Sequence, residues 1–360
     1  AIIGFWDFPV ALMAPYLGTQ FDLPGPTMES VIRAEHKYFS RQACSRAAPP
    51  HNPPFDLVNP FDPKPADVLA LDYPFWIKPV VAFGSQLGFM VEDEDGYRDA
   101  LEAMHEEIGR FAKPYNDFLN RVCHDQDICT LGGDWCIAEG IIGGWQCTLS
   151  GFVHEGEIHA YGVVDSVNYP DSSSFQRYEY PSRLPDEVQD RMADIAQATI
   201  REMEFDQWPF NMEFYYEEET DRIWMLEMNT RISQSHASLY EQVDGVSNHQ
   251  VLVEAALGQA PHMPRGEGPY RVAAMFHPRV FEDRFVKRSP SDEDLDRLRE
   301  EYPDVEFLPE AREGQRLSEL PNQDSYSYRL ARVYLAADSR DELEEKFDKV
   351  MEMAGYEFED

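Results

Sequence analysis

The sequence predicts an α+β protein of two or more packed units, on three observations. At 360 residues the chain exceeds the size at which a single hydrophobic core stops growing. Two passages alternate apolar and polar residues about short turns, the pattern of antiparallel hairpins. Between and after them run stretches with apolar residues at helical spacing. Hydrophobic residues at 43% and aromatics at 13% supply a core and exclude a disordered chain.

In chain order, Ala1-Ile2-Ile3-Gly4-Phe5-Trp6 reads as a strand followed by a helix, beginning without Met as if within a domain. The stretch has no basic n-region, contains Asp7, Pro9 and Pro15, and meets its first basic residue at Arg33, which argues against a targeting segment. Residues 49–65 carry Pro49, Pro50, Pro53, Pro54, Pro60, Pro63 and Pro65, which suit a connector and neither a regular helix nor a central strand. Phe75-Trp76-Ile77-Lys78 predicts a short strand, Val80 to Met90 a glycine-containing loop, and Asp95 to Arg110 a helix opened by acidic residues. Cys147–Val153 and Ile158–Ser166 flank His154-Glu155-Gly156-Glu157, a hairpin with Gly where a tight turn needs one. Pro185 opens a helix with Val188, Met192, Ile195 and Met203 mostly on one face. Phe210–Tyr216, the turn Glu217–Asp221 and Arg222–Met228 make the second hairpin. After Gly258-Gln259-Ala260-Pro261 a last unit of mixed strands and helices runs to an acidic tail, without internal repeats.

Against 31 basic residues stand 67 acidic ones, a net charge of −36 that repels phosphate backbones and anionic lipid. Nucleic acid and membrane are therefore excluded as expected partners, and no run approaches the ~20 apolar residues of a membrane span. Arg outnumbers Lys 24 to 7, which a high-salt habitat and a GC-rich genome explain equally. Cys44, Cys123, Cys129, Cys136 and Cys147 show no C-x-x-C pair, as expected of free thiols in a reducing cytoplasm. Twofold dimers being the commonest assembly, a homodimer is the default expectation.

The second hairpin carries the most chemistry. Period 2 places Asn211, Glu213 and Tyr215 on one face and the apolar Phe210, Met212, Phe214 and Tyr216 on the other. If Tyr216 pairs with Arg222, Glu213 lies opposite Met225 and diagonal to Glu227, with Trp224, Leu226 and Met228 on the core face and Met225, Glu227 and Asn229 opposite. Two carboxylates and a carboxamide then converge, which suits either a hard divalent cation such as Mg²⁺ or an ordinary solvated acidic face. Lys78 ends an apolar strand beside Val80 to Gly88, whose Gly84, Ser85 and Gly88 fit a backbone phosphate cradle or a plain structural turn. Arg231 fits a contact to a phosphoryl or carboxylate group, or a surface ion pair. Ser235 and His236 fit substrate contacts or structural roles. No zinc spacing and no nucleophile elbow is present.

The order of these pieces is more specific than any one. Lys37 after Ala34-Glu35-His36, Phe75-Trp76-Ile77-Lys78-Pro79 with its glycine loop, Ala138-Glu139-Gly140-Ile141-Ile142-Gly143-Gly144, Glu213-Phe214 and Leu226-Glu227-Met228-Asn229-Thr230-Arg231 together resemble the ATP-grasp superfamily, over about residues 20–258. The resemblance is to the branch with biotin carboxylase and the carboxylate–amine ligases. It implies the ATP-grasp fold: a partial N-terminal α/β unit (1–35), an ATP-grasp domain (36–258) with two sheets and a lid at about 73–139, and a C-terminal α/β domain (259–360) like that of biotin carboxylase.

By the same resemblance Lys37 and Lys78 bind ATP phosphates, with Lys78 and Arg231 catalytic, under the loop containing Gly84, Ser85 and Gly88. Glu139, Gly140, Ile141 and Ile142 hold ribose and adenine, and Gln146 stands where relatives carry a charged ribose contact. Glu213, Glu227 and Asn229 ligate Mg²⁺ or Mn²⁺. The implied reaction activates a small-molecule carboxylate as an acyl phosphate for attack by an amine or other nucleophile, releasing ADP and phosphate. The alternatives are bicarbonate activation and nucleotide binding without turnover. After Arg231 the chain reads Ile232-Ser233-Gln234-Ser235-His236 and lacks the Gln and catalytic Glu of biotin carboxylase.

Overall fold

The computed structural model describes residues 1–62, 70–82, 86–122, 128, 130–321, 323 and 327–359. Gly84 and Ser85 of the candidate phosphate loop lie outside these residues. The chain divides into two compact units. The first comprises Ala1–Ala160, Leu184–Ile232 and Val251–Pro261, the second Tyr161–Arg183, Ser233–Gln250 and His262–Asp360.

The first unit opens with helices α1 (Val10–Gln20), α2 (Met28–Glu35) and α3 (Lys37–Ala47). The strand expected over residues 1–6 does not form. Its apolar residues serve packing instead: a Cβ at the buried Gly4 would stand 2.6 Å from Val10 Cγ1, so this segment lies directly on α1. Thr27 caps α2, its hydroxyl accepting the Ser30 N–H at 3.2 Å. His36 is extended (φ −83°, ψ 106°) and separates α2 from α3 by a single residue.

A four-stranded antiparallel sheet follows, in the order β1 (Phe55–Val58), β4 (Cys136–Gly140), β2 (Phe75–Pro79), β3 (Phe89–Val91). The proline-rich connector thus contributes a strand, confined to its proline-free stretch and to the sheet edge, where prolines nearby interrupt no ladder. Helices α4 (Glu94–Glu107) and α5 (Gly109–Val122) accompany this sheet, and Phe75, Ile77, Tyr97, Met104, Ile108, Ala112 and Ala138 form its core. Asp93 caps α4 through the Gly96 N–H at 2.8 Å.

The remaining strands of this unit are β5 (Trp145–His154), β8 (Pro209–Glu217) and β9 (Arg222–Asn229), antiparallel with β8 in the middle. Helix α6 (Asp186–Glu202) packs on α3 and β5. Both predicted hairpins form. Glu155 and Gly156, at φ 52° and 78°, make the two-residue turn from β5 into β6 (Glu157–Asn168).

The β8–β9 register differs from the expected one. Glu217 pairs with Arg222, and a bulge between the Glu213 and Phe214 positions sets Phe214 opposite Met225 but Glu213 opposite Glu227. Leu226 is the extra residue. Met225 therefore shares the core face of Phe214 and is 1% exposed, while Trp224 pairs with Tyr215, the reverse of the expected assignment.

In the second unit β6 from Tyr161 onward, β7 (Phe175–Tyr180), β10 (Val272–Phe276), β15 (Ala331–Ala337) and β13 (Glu306–Pro309) pair antiparallel in that order. Two short ladders join β11 (Arg279–Val280) to β14 (Tyr328–Arg329) and β12 (Phe285–Arg288) to β16 (Glu357–Glu359). Val272, Phe276, Leu298, Val333, Leu335, Leu343 and Val350 centre the core, drawn from these strands and from helices α9 (Asp292–Glu301) and α10 (Arg340–Ala354). Helix α7 (Ala237–Asp244) also belongs here, and α8 (Asn248–Ala256) runs across the boundary in the chain. Among the described residues no helix is long and apolar enough to cross a membrane.

Candidate active site

Lys37 is the first residue of α3, and its N–H donates to the Val80 carbonyl at 2.9 Å, seating the helix end beside the close of β2. A cation in a helix's first turn opposes the positive end of the helix dipole. Glu227 compensates, with Oε2 3.0 Å from Lys37 Nζ. One turn on, Arg41 lies on the same face of α3. Arg41 and Lys78 together hold the buried carboxylate of Glu139, Lys78 at 2.7 Å, and Arg41 also donates to the Met225 carbonyl. Burial alone would raise the Glu139 carboxyl, but the two cations outweigh it and hold it down at about 2.

Glu213 and Glu227 face each other across β8 and β9. Burial first, and the Glu227 charge second, push the Glu213 carboxyl up to about 7. Glu227 goes the other way: burial raises it, and Lys37 with Lys78 lowers it further, below the usual carboxylate range. Gln146, paired with Tyr215 on the neighbouring strand, donates to Glu213 Oε2 at 3.3 Å and accepts from the Tyr215 hydroxyl at 3.0 Å. Asn211 and Asn229 form the next cross-strand pair, with Asn229 Nδ2 3.0 Å from Asn211 Oδ1. Arg231 pairs with Asp7, Nε to Oδ1 at 2.7 Å, and turns Nη2 to within 3.4 Å of Asn229 Oδ1. Glu35 completes this end, accepting the Thr230 N–H and hydroxyl at 2.7 Å each.

The structure thus brings Lys37, Lys78, Glu139, Gln146, Glu213, Glu227, Asn229 and Arg231 into one linked network. Gly140 closes β4 with its N–H on the Pro54 carbonyl at 2.8 Å, and Ile141 and Ile142 follow, Ile141 exposed. Gly88 lies against the Trp76 indole, where a Cβ would come within 2.8 Å of the ring. The Glu139 carboxylate, expected to meet a ribose, is committed to Arg41 and Lys78. Sequence reasoning missed Arg41, Asp7 and Glu35. Only Arg41 carried a signal, its position four residues after Lys37 on one helix face.

The ATP-grasp domain family matches residues 71–238. The chain has the ATP-grasp fold. Solved enzymes share that fold across nearly the whole chain. The L-amino acid ligase from Bacillus licheniformis has a TM-score of 0.72 and 14% identity, covering 98% of this chain and 82% of its own. The biotin carboxylase from Campylobacter jejuni, solved as a β,γ-ATP complex, has a TM-score of 0.66 and 14% identity, covering 98% and 74%. The biotin carboxylase domain of the Hydrogenobacter thermophilus 2-oxoglutarate carboxylase, solved with MgADP and bicarbonate, has a TM-score of 0.62 and 16% identity, covering 96% and 72%. No curated protein matches the sequence.

Within the ATP-grasp domain the chemistry of the donor set fits a divalent cation. Two carboxylates lie directly opposite, where like charges destabilise a strand pair, and burial together with the Glu227 charge pushes the Glu213 carboxyl up to about 7. All the nearby side-chain acceptors are hard oxygens. Among the described residues three or more His, Cys, Asp or Glu nowhere gather into a metal site, so the candidate set is two carboxylates with an amide.

Proposed function

We propose that this protein is an ATP- and Mg²⁺-dependent ligase that activates a small-molecule carboxylate as an acyl phosphate and delivers it to an amine or another nucleophile. The observation that carries the reading is the direct opposition of Glu213 and Glu227 beside Lys37, inside an ATP-grasp domain. Glu213, Glu227 and the Asn229 amide oxygen would hold the Mg²⁺, which supplies charge neutralisation for the nucleotide's phosphates. Lys37 and Lys78 would bind phosphate oxygens, under a lid at about 73–139 that includes Gly88. Arg41 keeps Glu139 ionised, so that Lys78 stays oriented on it, and Ile141, Ile142 and Gln146 border the nucleoside.

Arg231, aligned by Asp7, stabilises charge on the phosphoryl group as the carboxylate attacks. The division into an N-terminal unit (1–35), the ATP-grasp domain (36–258) and a C-terminal domain (259–360), a homodimer and a cytoplasmic location belong to the same reading. Bicarbonate activation is disfavoured by Ile232 to His236, which offer no carboxylate base after Arg231.

Thermal-shift titration with a non-hydrolysable ATP analogue, with and without Mg²⁺, tests the site on wild type and Glu227→Ala, since a ligand of the native state raises Tm. A Mg²⁺-dependent rise lost in the variant supports the reading, and its absence in wild type overturns it. ADP release over a panel of carboxylates and amines then tests the ligation.

A further inference from the structure

Two acidic side chains act on the Arg231 guanidinium at its end of the candidate active site, Asp7 and Glu35. Asp7 is committed to the guanidinium, Nε to Oδ1 at 2.7 Å. Glu35, half-buried as the last residue of α2, accepts both the Thr230 N–H and the Thr230 hydroxyl on a single oxygen, Oε1, at 2.7 Å each. Its carboxylate is thereby fixed in orientation on the residue next to Arg231. Among the described residues no hydrogen bond ends on the other oxygen, Oε2.

Burial pushes the Glu35 carboxyl above its ordinary range, outweighing the two Thr230 bonds and the Arg231 charge, and the Asp7 charge adds to the rise. Lys37 also feels Glu35, but its ammonium is paired with Glu227. Tyr115 on α5 supplies an independent sign of a missing group. It is 1% exposed, and its buried hydroxyl has no hydrogen-bond partner, an arrangement folded proteins avoid. Burial and then the Glu35 charge push the phenol far up, so the hydroxyl stays neutral, with a donor and an acceptor to offer. When Asp7 and Glu35 are both ionised they set two negative charges against one guanidinium. The surplus suits an ammonium and repels a further anion such as bicarbonate.

We propose that Glu35 is the general base of the second half-reaction, and that the nucleophile is a primary amine that enters as its ammonium and is held by Glu35 Oε2 with the Tyr115 hydroxyl beside it. The inference rests on the ligase reading and names its acceptor class. The ammonium gives one proton to Oε2, and the lone pair so freed attacks the acyl carbon. As the C–N bond forms, the C–O bond to the phosphoryl group breaks, and phosphate leaves with that electron pair. The nitrogen's second proton departs with it as HPO₄²⁻, and Glu35 returns the first to solvent.

The test separates the two half-reactions. Hydroxylamine is unprotonated at neutral pH and traps an acyl phosphate as a hydroxamate without a base, whereas an alkyl amine, with a pKa of about 10, arrives as an ammonium. With a carboxylate and an alkyl amine on which wild type releases ADP, hydroxamate and amide formation are measured on the full chain, wild type and Glu35→Gln. Gln keeps an acceptor oxygen for Thr230, and the variant's Tm and its binding of a non-hydrolysable ATP analogue check that it folds. Glu35→Gln should lower amide formation about 100-fold or more and hydroxamate formation less than about threefold. Raising the pH toward the amine's own pKa should restore the amide in the variant, which a structural loss would not allow. On wild type alone, ADP release should respond to amines and not to thiols. Equal loss of both products, an unchanged rate of amide formation, or a response to thiols and to no amine would overturn the assignment and leave the ligase reading standing. Neither ADP nor hydroxamate from wild type with any carboxylate would overturn that reading, and this inference with it.

Discussion

Replacing Arg41 by Met should expose how much of the first unit's stability rests on one buried carboxylate. Glu139 is 4% exposed, and its carboxyl falls from 4.5 to about 2 because Arg41 and Lys78 overcome the cost of burial. That difference, at 1.36 kcal/mol per pH unit, corresponds to about 3 kcal/mol at neutral pH. The folded-state value lies below the unfolded one, so this stabilisation is present above pH 4.5 and drains away as the pH falls toward 2. Arg41→Met leaves Lys78 in place but also strands the Met225 carbonyl, and breaking a buried pair costs about 3–5 kcal/mol. The expected loss at pH 7 is therefore about 3 kcal/mol. Urea unfolding across a pH series, on wild type, Arg41→Met, Glu139→Gln and the double variant, measures it. The penalty should shrink as acid protonates Glu139, and the double variant should recover part of it through the coupling between the two residues. A penalty below about 1 kcal/mol at pH 7, or one indifferent to pH, would refute the reasoning.

Three further outcomes follow from the same geometry. Because the Glu213 carboxyl is pushed up to about 7, the metal-free folded protein retains a proton there that the unfolded chain releases, and stability is lost as the pH rises from 4.5 through 7. Glu213→Gln should accordingly melt above wild type at alkaline pH, with the difference fading in acid, and a lower Tm at alkaline pH would contradict this. Gly144 has φ 110° and a Cβ there would stand 2.3 Å from the Tyr216 carbonyl oxygen, so Gly144→Ala should cost more than about 2 kcal/mol, read as a depressed Tm. Lys37→Met removes the ammonium 3.0 Å from Glu227 and should weaken Mg²⁺-dependent binding of an ATP analogue about tenfold or more by calorimetry.

What the sequence made legible was the local part of the design. Period 2 and the Glu155-Gly156 turn give both hairpins, and the order of Lys37, Lys78, Glu139, Glu213 and Glu227 gives the fold family. The apolar run at residues 1–6 misleads because burial against a helix and burial in a strand use the same residues. Asp7, 224 positions from Arg231, and Glu35, 195 positions from Thr230, become partners only through tertiary folding, which no spacing rule reaches. Arg41 was within reach, since a helix that presents Lys37 to the site presents its fourth successor there as well.

The register of β8 and β9 shows most clearly how a single residue sets the chemistry. With the turn closing at Glu217 and Arg222, an unbroken ladder would place Glu213 opposite Leu226 and send Glu227 to the other face. The extra residue at Leu226 moves Glu227 on by one position and returns it to the face of Glu213, while Phe214 keeps Met225 and Met212 keeps Met228 on the core side. Bulges of this kind re-aim side chains next to functional sites. Directly opposed residues have Cα atoms about 4.5–5.5 Å apart, against about 7–8 Å or more on the diagonal, which is the difference between two carboxylates that share one cation and two that do not. The repulsion that, after burial, helps lift Glu213 toward neutral pH and the proposed affinity for a divalent ion are therefore two consequences of one inserted residue.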